Sequence, residues 1–218
     1  KECQRSALPH IRAIICESSA SGVILDAATR RNLELTQNLQ GGFENTLASV
    51  LDKSATPMGS RLLKRWLHFP LRDLSILSAR QQATSELLSQ DLTNELFAQL
   101  KSFGDIERIV SRVALRSARP RDFARLRNAL GQLPELQAHL ASCKQAHILQ
   151  LASQTLPIPT LHNLLQHALV ENPPVLIRDG GVIAKGYHEE LDVLRDLSDG
   201  ATEFLAQLEA REKERTGI

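Results

Sequence analysis

From Thr46 to the end of the chain, apolar residues recur at spacings of three and four, the period of one face of an α-helix. Thr56-Pro57 marks a helix start, with Thr as N-cap and Pro at the first helical position, where its missing N–H is not needed. Leu62, Leu63, Trp66 and Leu67 then line one face and Arg61, Lys64 and Arg65 the other, up to a stop at Pro70. Trp66 and Phe69 read as core anchors beside Leu62 and Leu63. Helical patterns follow at 73–90, 92–102 and 105–116, the last with Ile106, Ile109, Val110, Val113 and Ala114 on one stripe. A second proline start at Pro120 opens a helix carrying Phe123, Leu126, Leu130 and Leu133, in which Pro134 is expected to produce a kink or a split. Leu161, Leu164, Leu165, Ala168 and Leu169 make a short amphipathic helix that Pro173-Pro174 stops. The longest pattern covers 187–215, where Leu191, Leu194, Ser198, Ala201, Leu205 and Leu208 form a coiled-coil-like seam. Such a helix is roughly 43 Å long at 1.5 Å per residue.

Two regions depart from this period. Within the first 36 residues, 11–16 (IRAIIC) and 23–26 (VILD) are β-branched runs, and 31–36 (RNLELT) alternates at period two, which predicts short strands, some of them paired. Residues 175–184 (VLIRDGGVIA) place Asp179-Gly180 between two apolar runs. That is a hairpin signal, because a type I′ turn needs positive φ at both central positions. The expected fold class is therefore mostly α: an irregular helical bundle core with one long helix and small β-hairpins at about 11–36 and 175–184. No internal repeat of fixed period is present.

Composition acts mainly by exclusion. The 218 residues carry 26 basic and 25 acidic side chains, a net charge of +1, too balanced to argue for nucleic-acid or membrane binding by bulk electrostatics. Aromatic residues at 4% argue against stacking platforms for single-stranded nucleic acid. Cys3, Cys16 and Cys143 are widely spaced and odd in number, which points away from a disulfide framework or structural zinc and towards a reducing compartment. The longest stretch free of charged residues, Gln145 to Val170, is interrupted by Pro157 and Pro159 and by several amide and histidine side chains, so it reads as soluble helices rather than a membrane span.

Chemistry-bearing motifs are few. The chain contains no G-x-x-x-x-G-K-[ST], G-x-G-x-x-G, H-E-x-x-H or G-x-S-x-G. His162 and His167 are five apart, a poor spacing for sharing a metal on one helix face. His188, Glu189 and Glu190 open the long helix, where carboxylates interact favourably with the helix dipole, so capping is favoured over acid–base work. The notable cluster is Arg108, Arg112, Arg116, Arg119, Arg121, Arg125 and Arg127, seven arginines in twenty residues with Asp122 among them. Spacing alone favours a solvated or interdomain face paired with Asp105, Glu107 and acids elsewhere; the alternative is a face turned to phosphates.

Several long segments, taken together, resemble one family. They are LDAATRRNLELTQNLQGG (25–42) with NTLASVLDKSATPMGSRLLKRWLHFPLRD (45–73), then GDIERIVSRVALRSARPRDFARLRNAL (104–130), and PPVLIRDGGVIAKGYHEELDVLRDL (173–197) running into LEAREKERTGI (208–218). In this order they resemble MutS, the DNA mismatch-recognition ATPases, and are closest to the bacterial mismatch-repair branch. The resemblance implies a division of the chain into 1–20 as the tail of a connector domain, 21–186 as helical core, and 187–218 as a lever helix leading toward a clamp domain. The clamp, the ATPase domain and the mismatch-reading domain would lie outside these residues, so the chain is expected to be an excised fragment.

What the resemblance implies about function follows from that division. The chain would be a non-catalytic core and lever segment in DNA mismatch repair, coupling DNA binding at the clamp to a distant ATPase domain. No catalytic, cofactor-binding or metal-binding residue carries over, and no DNA-contacting residue is secure; ATP and Mg would be bound elsewhere in the parent protein. The implied partners are mismatched double-stranded DNA through the parent protein, a second copy in a homodimer, and other mismatch-repair proteins, in a bacterial cytoplasm close to the nucleoid, with no membrane. Deprived of a partner helix, the seam at Leu191, Leu194, Ala201, Leu205 and Leu208 is expected to pair with another copy or to fray toward Thr216. The alternative reading is an independent helical module that binds nucleic acid through Arg108–Arg127.

Overall fold

Side-chain caps start most of the N-terminal helices. The computed structural model describes residues 22–217. In α1 (Ala27–Asn32) the Asp26 carboxylate accepts the Thr29 N–H at 2.6 Å. Thr46 does the same for Ser49 at the start of α2 (Leu47–Leu51), at 3.1 Å. Thr56 caps α3 (Pro57–His68) by accepting the Gly59 N–H at 3.0 Å, with Pro57 at the first position as the sequence predicts. Asp73 caps α4 (Leu74–Ser89), and Asp105 caps α6 (Ile106–Ala114). Between these last two runs α5 (Thr93–Phe103), ended by Gly104 at φ 68° and ψ −147°, a conformation that favours glycine. The chain continues through α7 (Pro120–Ala141), α8 (Ala146–Gln154), α9 (Pro159–Ala168) and α10 (Glu189–Thr216).

The core is built around α7. Ala124, Leu126, Ala129, Leu130 and Leu136 are all buried on it. Leu126 and Leu130 join Ile109 of α6 and Leu165 and Leu169 at the end of α9 in one cluster. Ala129 and Leu136 join Leu96 and Phe103 of α5 in a second. A third cluster holds Ala83 of α4 and Ile148 of α8 around Cys143, whose thiol is pushed up from its ordinary pKa by burial. Pro134 does not split α7, which runs continuously past it. A proline removes one rung of the helix ladder, but here Leu130 and Leu136 are held in the core on either side.

Three expectations change. The strands predicted within 23–36 are not formed: Asp26 caps a helical turn at Ala27–Asn32, and Glu34 takes φ 45°, which breaks any extended run. Among the described residues of this stretch, extended pairing takes the form of a bridge between Gly22 and Leu71, with the Val23 N–H donating to the Pro70 carbonyl at 2.8 Å. The run at 11–16 lies outside the described residues. The Asp179-Gly180 hairpin is also absent. Ile177–Asp179 forms a single tight turn, Asp179 is not in the positive-φ region, and the positive φ values fall one residue later, at Gly180 and Gly181. The second arm of the supposed hairpin instead pairs with the end of α9, through a bridge between Leu169 and Ile183. Finally, Trp66 and Phe69 are not core anchors. They are 40% and 48% exposed, α3 buries no residue, and Arg80 lies over the Trp66 ring at 3.9 Å.

Candidate functional site at the base of the long helix

The expected long helix is present as α10, 28 residues and thus about 42 Å at 1.5 Å per residue. Val193, Leu194, Leu197, Phe204 and Leu205 on it are each more than half exposed. Glu189, Glu190 and Asp192 occupy its first turn and Lys213 and Arg215 its last, so the charges complement the helix dipole at both ends. His188 precedes the helix without a side-chain cap. The anchoring comes instead from Asp192 and Arg195, one turn in.

Asp192 accepts the Gly186 N–H at 2.6 Å, folding the approach segment back on the helix. Arg195 donates to the Ile183 carbonyl at 3.0 Å and lies 3.4 Å from Asp192. Lys185 and Asp196 add an exposed pair at 3.2 Å, which contributes little in open water. Ile183 belongs to the short stretch bridged to α9, where the Val170 N–H donates to the Val182 carbonyl at 3.1 Å and the Ala184 N–H to the Ala168 carbonyl at 2.9 Å. Val182 itself packs against the core cluster of α6, α7 and α9.

Arg127 completes this chain of contacts. Its side chain is buried on α7, at 5% exposure. One guanidinium nitrogen donates to the Val170 carbonyl at 3.1 Å and to the Leu169 carbonyl at 3.4 Å, and another to the Glu171 carbonyl at 2.8 Å. A cation placed on the open carbonyls after α9 satisfies groups that have no partner within the helix and opposes their partial negative charge. Rigid core, α9 end, bridged strand and long helix are thereby linked through Arg127, Ile183 and Arg195.

The arginine cluster is accordingly divided. Arg127 is a buried structural residue. Arg112 donates to both oxygens of buried Asp122, at 2.8 and 2.9 Å, while Asp122 also accepts the Arg119 N–H at 3.0 Å, at the head of α7. Arg108 pairs with Asp105 at 3.4 Å, as the spacing suggests. Asp105 and Glu107 are also held by Arg61 of α3, and its guanidinium keeps the Asp105 carboxyl below its ordinary pKa. Arg121 reaches the Pro173 carbonyl at 3.4 Å. Arg116, Arg119 and Arg125 are exposed without an ion pair among the described residues. Among those residues no group of His, Cys, Asp or Glu is placed to hold a metal, His162 and His167 included, and no helix is long and apolar enough to cross a membrane.

Residues 28–214 fit the family model of MutS domain III, from α1 almost to the end of α10. The chain belongs to the MutS family. MutS domain III is part of mismatch-repair proteins and is not their ATPase domain, and the match takes in both the helical core and the long helix. Within MutS domain III the base of α10 is the feature sequence reasoning located only in part. The long helix was legible, but its tether was not. Arg127 did carry a signal, since it lies four residues after Phe123 and three before Leu130, on the apolar stripe of α7. Asp192 and Arg195 carried only the signal of an acid–base pair three residues apart; their bonds to the Gly186 N–H and the Ile183 carbonyl were not legible, because the path of 183–186 depends on the pairing with α9.

Proposed function

We propose that this chain is the core and lever segment of a MutS mismatch-recognition protein, and that α10 transmits force between a DNA-gripping clamp and a distant ATPase domain. The division that goes with this reading puts connector residues at 1–20, core at 21–186 and lever at 187–218. Mismatched DNA, ATP and Mg are then bound by other parts of the parent protein. The chain has no P-loop sequence to cradle a nucleotide, and no step of nucleotide chemistry belongs to these residues.

The observation that carries the reading is the tether at the base of α10. A long helix whose first turns bond to the Gly186 N–H through Asp192 and to the Ile183 carbonyl through Arg195 is suited to follow the core that its approach segment is bridged to. Coupling of this kind acts in both directions: whatever nucleotide state does to clamp geometry, DNA binding does in reverse to nucleotide affinity. Leu194→Pro in the full-length protein tests it, since an interior proline destabilises a helix by about 3 kcal/mol. Mismatch binding is expected to lose its dependence on nucleotide, and ATP turnover its dependence on mismatched DNA. Retention of both activities and of their mutual dependence would rule the lever out. The bacterial branch, the homodimer and the nucleoid setting belong to the same proposal and rest on the wording of the segments quoted above.

A further inference from the structure

The corner between α3 and α4 holds a shallow, largely apolar groove. Its walls are Trp66 of α3 and Leu77 of α4, with Arg80 and the uncharged side chains of Gln81, Thr84 and Ser85, around a volume of about 610 Å3. Apolar surface continues along both helices. Leu62 lies one turn before Trp66 on α3, and Leu74 and Leu88 share the Leu77 face of α4, at helical spacings of three and eleven. All three leucines are exposed, as is Trp66 itself.

The charge around this groove has one sign. α3 carries Arg61, Lys64 and Arg65 and no carboxylate. The one carboxylate within α4, Glu86, accepts the Lys144 and Gln145 N–H groups at 2.7 and 2.8 Å, and is thus taken up at the start of α8. Asp73, which caps α4, is likewise held by the Ser75 and Ile76 N–H groups at 2.9 and 3.3 Å.

Arg80 stands apart from the other cations. Its guanidinium lies over the Trp66 ring at 3.9 Å and makes no hydrogen bond or ion pair among the described residues. A guanidinium set on a ring face keeps its N–H fork available at its edge, in a side chain that is already placed. The groove therefore combines an apolar wall with a positioned, unneutralised donor of bidentate hydrogen bonds, and lacks any carboxylate of its own.

We propose that this groove docks an acidic amphipathic helix of a partner protein. The apolar face of that helix covers Trp66, Leu77 and the exposed leucines, and one of its carboxylates accepts the Arg80 fork. Charge-assisted, bidentate bonds of this kind are among the stronger polar contacts. Lys64 and Arg65 extend the positive field along α3, which selects an acidic partner and speeds its encounter. A groove between two helices suits a third helix laid along it, whereas a helix that rests on a membrane presents its apolar face on an open surface. The reading is independent of the lever, so failure of either leaves the other standing.

Trp66 is the only tryptophan in the chain, so its fluorescence reports on the groove directly. The probe is a tryptophan-free helical peptide of Leu, Phe and Glu, apolar at every third or fourth position, titrated into the 218-residue chain at low salt. A saturable blue shift is expected as the ring leaves water. The same peptide with Gln in place of every Glu is expected to bind about 10-fold more weakly, and one with Lys in place of every Glu more weakly still. Arg80→Gln removes the fork and is expected to weaken the Glu peptide by about 10-fold with an unchanged thermal midpoint. Absence of a saturable change at Trp66, equal affinity for the Glu and Gln peptides, or full affinity in Arg80→Gln would overturn the proposal. So would a blue shift produced by anionic phosphatidylglycerol vesicles and not by the Glu peptide, which would assign this face to a membrane. Should Arg80→Gln fail to fold, the comparison of the Glu, Gln and Lys peptides on the unmodified chain decides alone.

Discussion

Replacing Arg127 with methionine removes the guanidinium while keeping an unbranched apolar stem of similar reach. Two of its bonds to carbonyls are well made, at 3.1 and 2.8 Å, and the two at 3.4 Å, to Leu169 and to the Asn128 side chain, are marginal. Two charge-assisted bonds together contribute about 3–6 kcal/mol. Loss of a buried cation offsets part of that, since its desolvation no longer opposes folding. A net destabilisation of about 2–3 kcal/mol follows, which lowers the thermal midpoint of a chain this long by roughly 4–12 °C. The location of the damage is more telling than its size. The Val170 and Ala184 amides close the bridge between the α9 end and the strand that holds Arg195. Their hydrogen exchange should accelerate well beyond that of fully buried Ala129 on α7. A variant that melts within about 1 °C of the parent, with Val170 and Ala184 still protected, would refute the claim that Arg127 carries the tether.

Further predictions follow from single residues. Gly104→Ala forces a Cβ onto φ 68° and ψ −147° with open space around it, so the effect is backbone strain alone, of order 1–3 kcal/mol, read as a drop in denaturation midpoint. The Asp105 carboxyl is depressed below its ordinary value of 3.8 by its bonds to Arg61, so the stability it adds is complete above that value and is lost as pH falls through the folded-state pKa. Asp105→Asn is therefore expected to be less stable than the parent at neutral pH, with the two melting curves converging below about pH 4. A gap that persisted unchanged into acid would show that the Arg61 pair is not its source.

Local chemistry explains what could be read in advance at the helix ends. Thr56-Pro57 starts α3 and Pro120 starts α7 because capping and the fixed proline φ act within one turn, needing nothing from the rest of the chain. The charge relation of Asp105 to Arg108 is similarly local, three residues apart on one helix. Trp66 shows the limit. Its neighbours at three and four are apolar, yet α3 buries no residue and the ring meets Arg80 instead of the core. Periodicity identifies an amphipathic face, while burial depends on whether another element comes to cover it. The seven arginines make the same point from the opposite side. Spacing groups them on paper, but Arg127 turns inward to backbone carbonyls and Arg112 to buried Asp122, because those partners lie at 10 to 44 residues' remove.

The sequence by itself determined that these residues are helical, that the helix over 187–215 is long, and that they carry the signature of a MutS core. Each of these rests on repeats, caps and segment order, properties encoded within a few turns of chain. Tertiary structure decided which partner each extended or charged stretch takes. The arm at 182–184 pairs with the end of α9 and not with 175–178, because Val182 packs against the core shared by α6, α7 and α9 while Ile177–Asp179 curls into a turn. That choice puts the Ile183 carbonyl within reach of Arg195 and so fixes the base of α10. Pairing energies between distant segments are small and nearly equal until packing selects among them, and packing is a property of the whole fold.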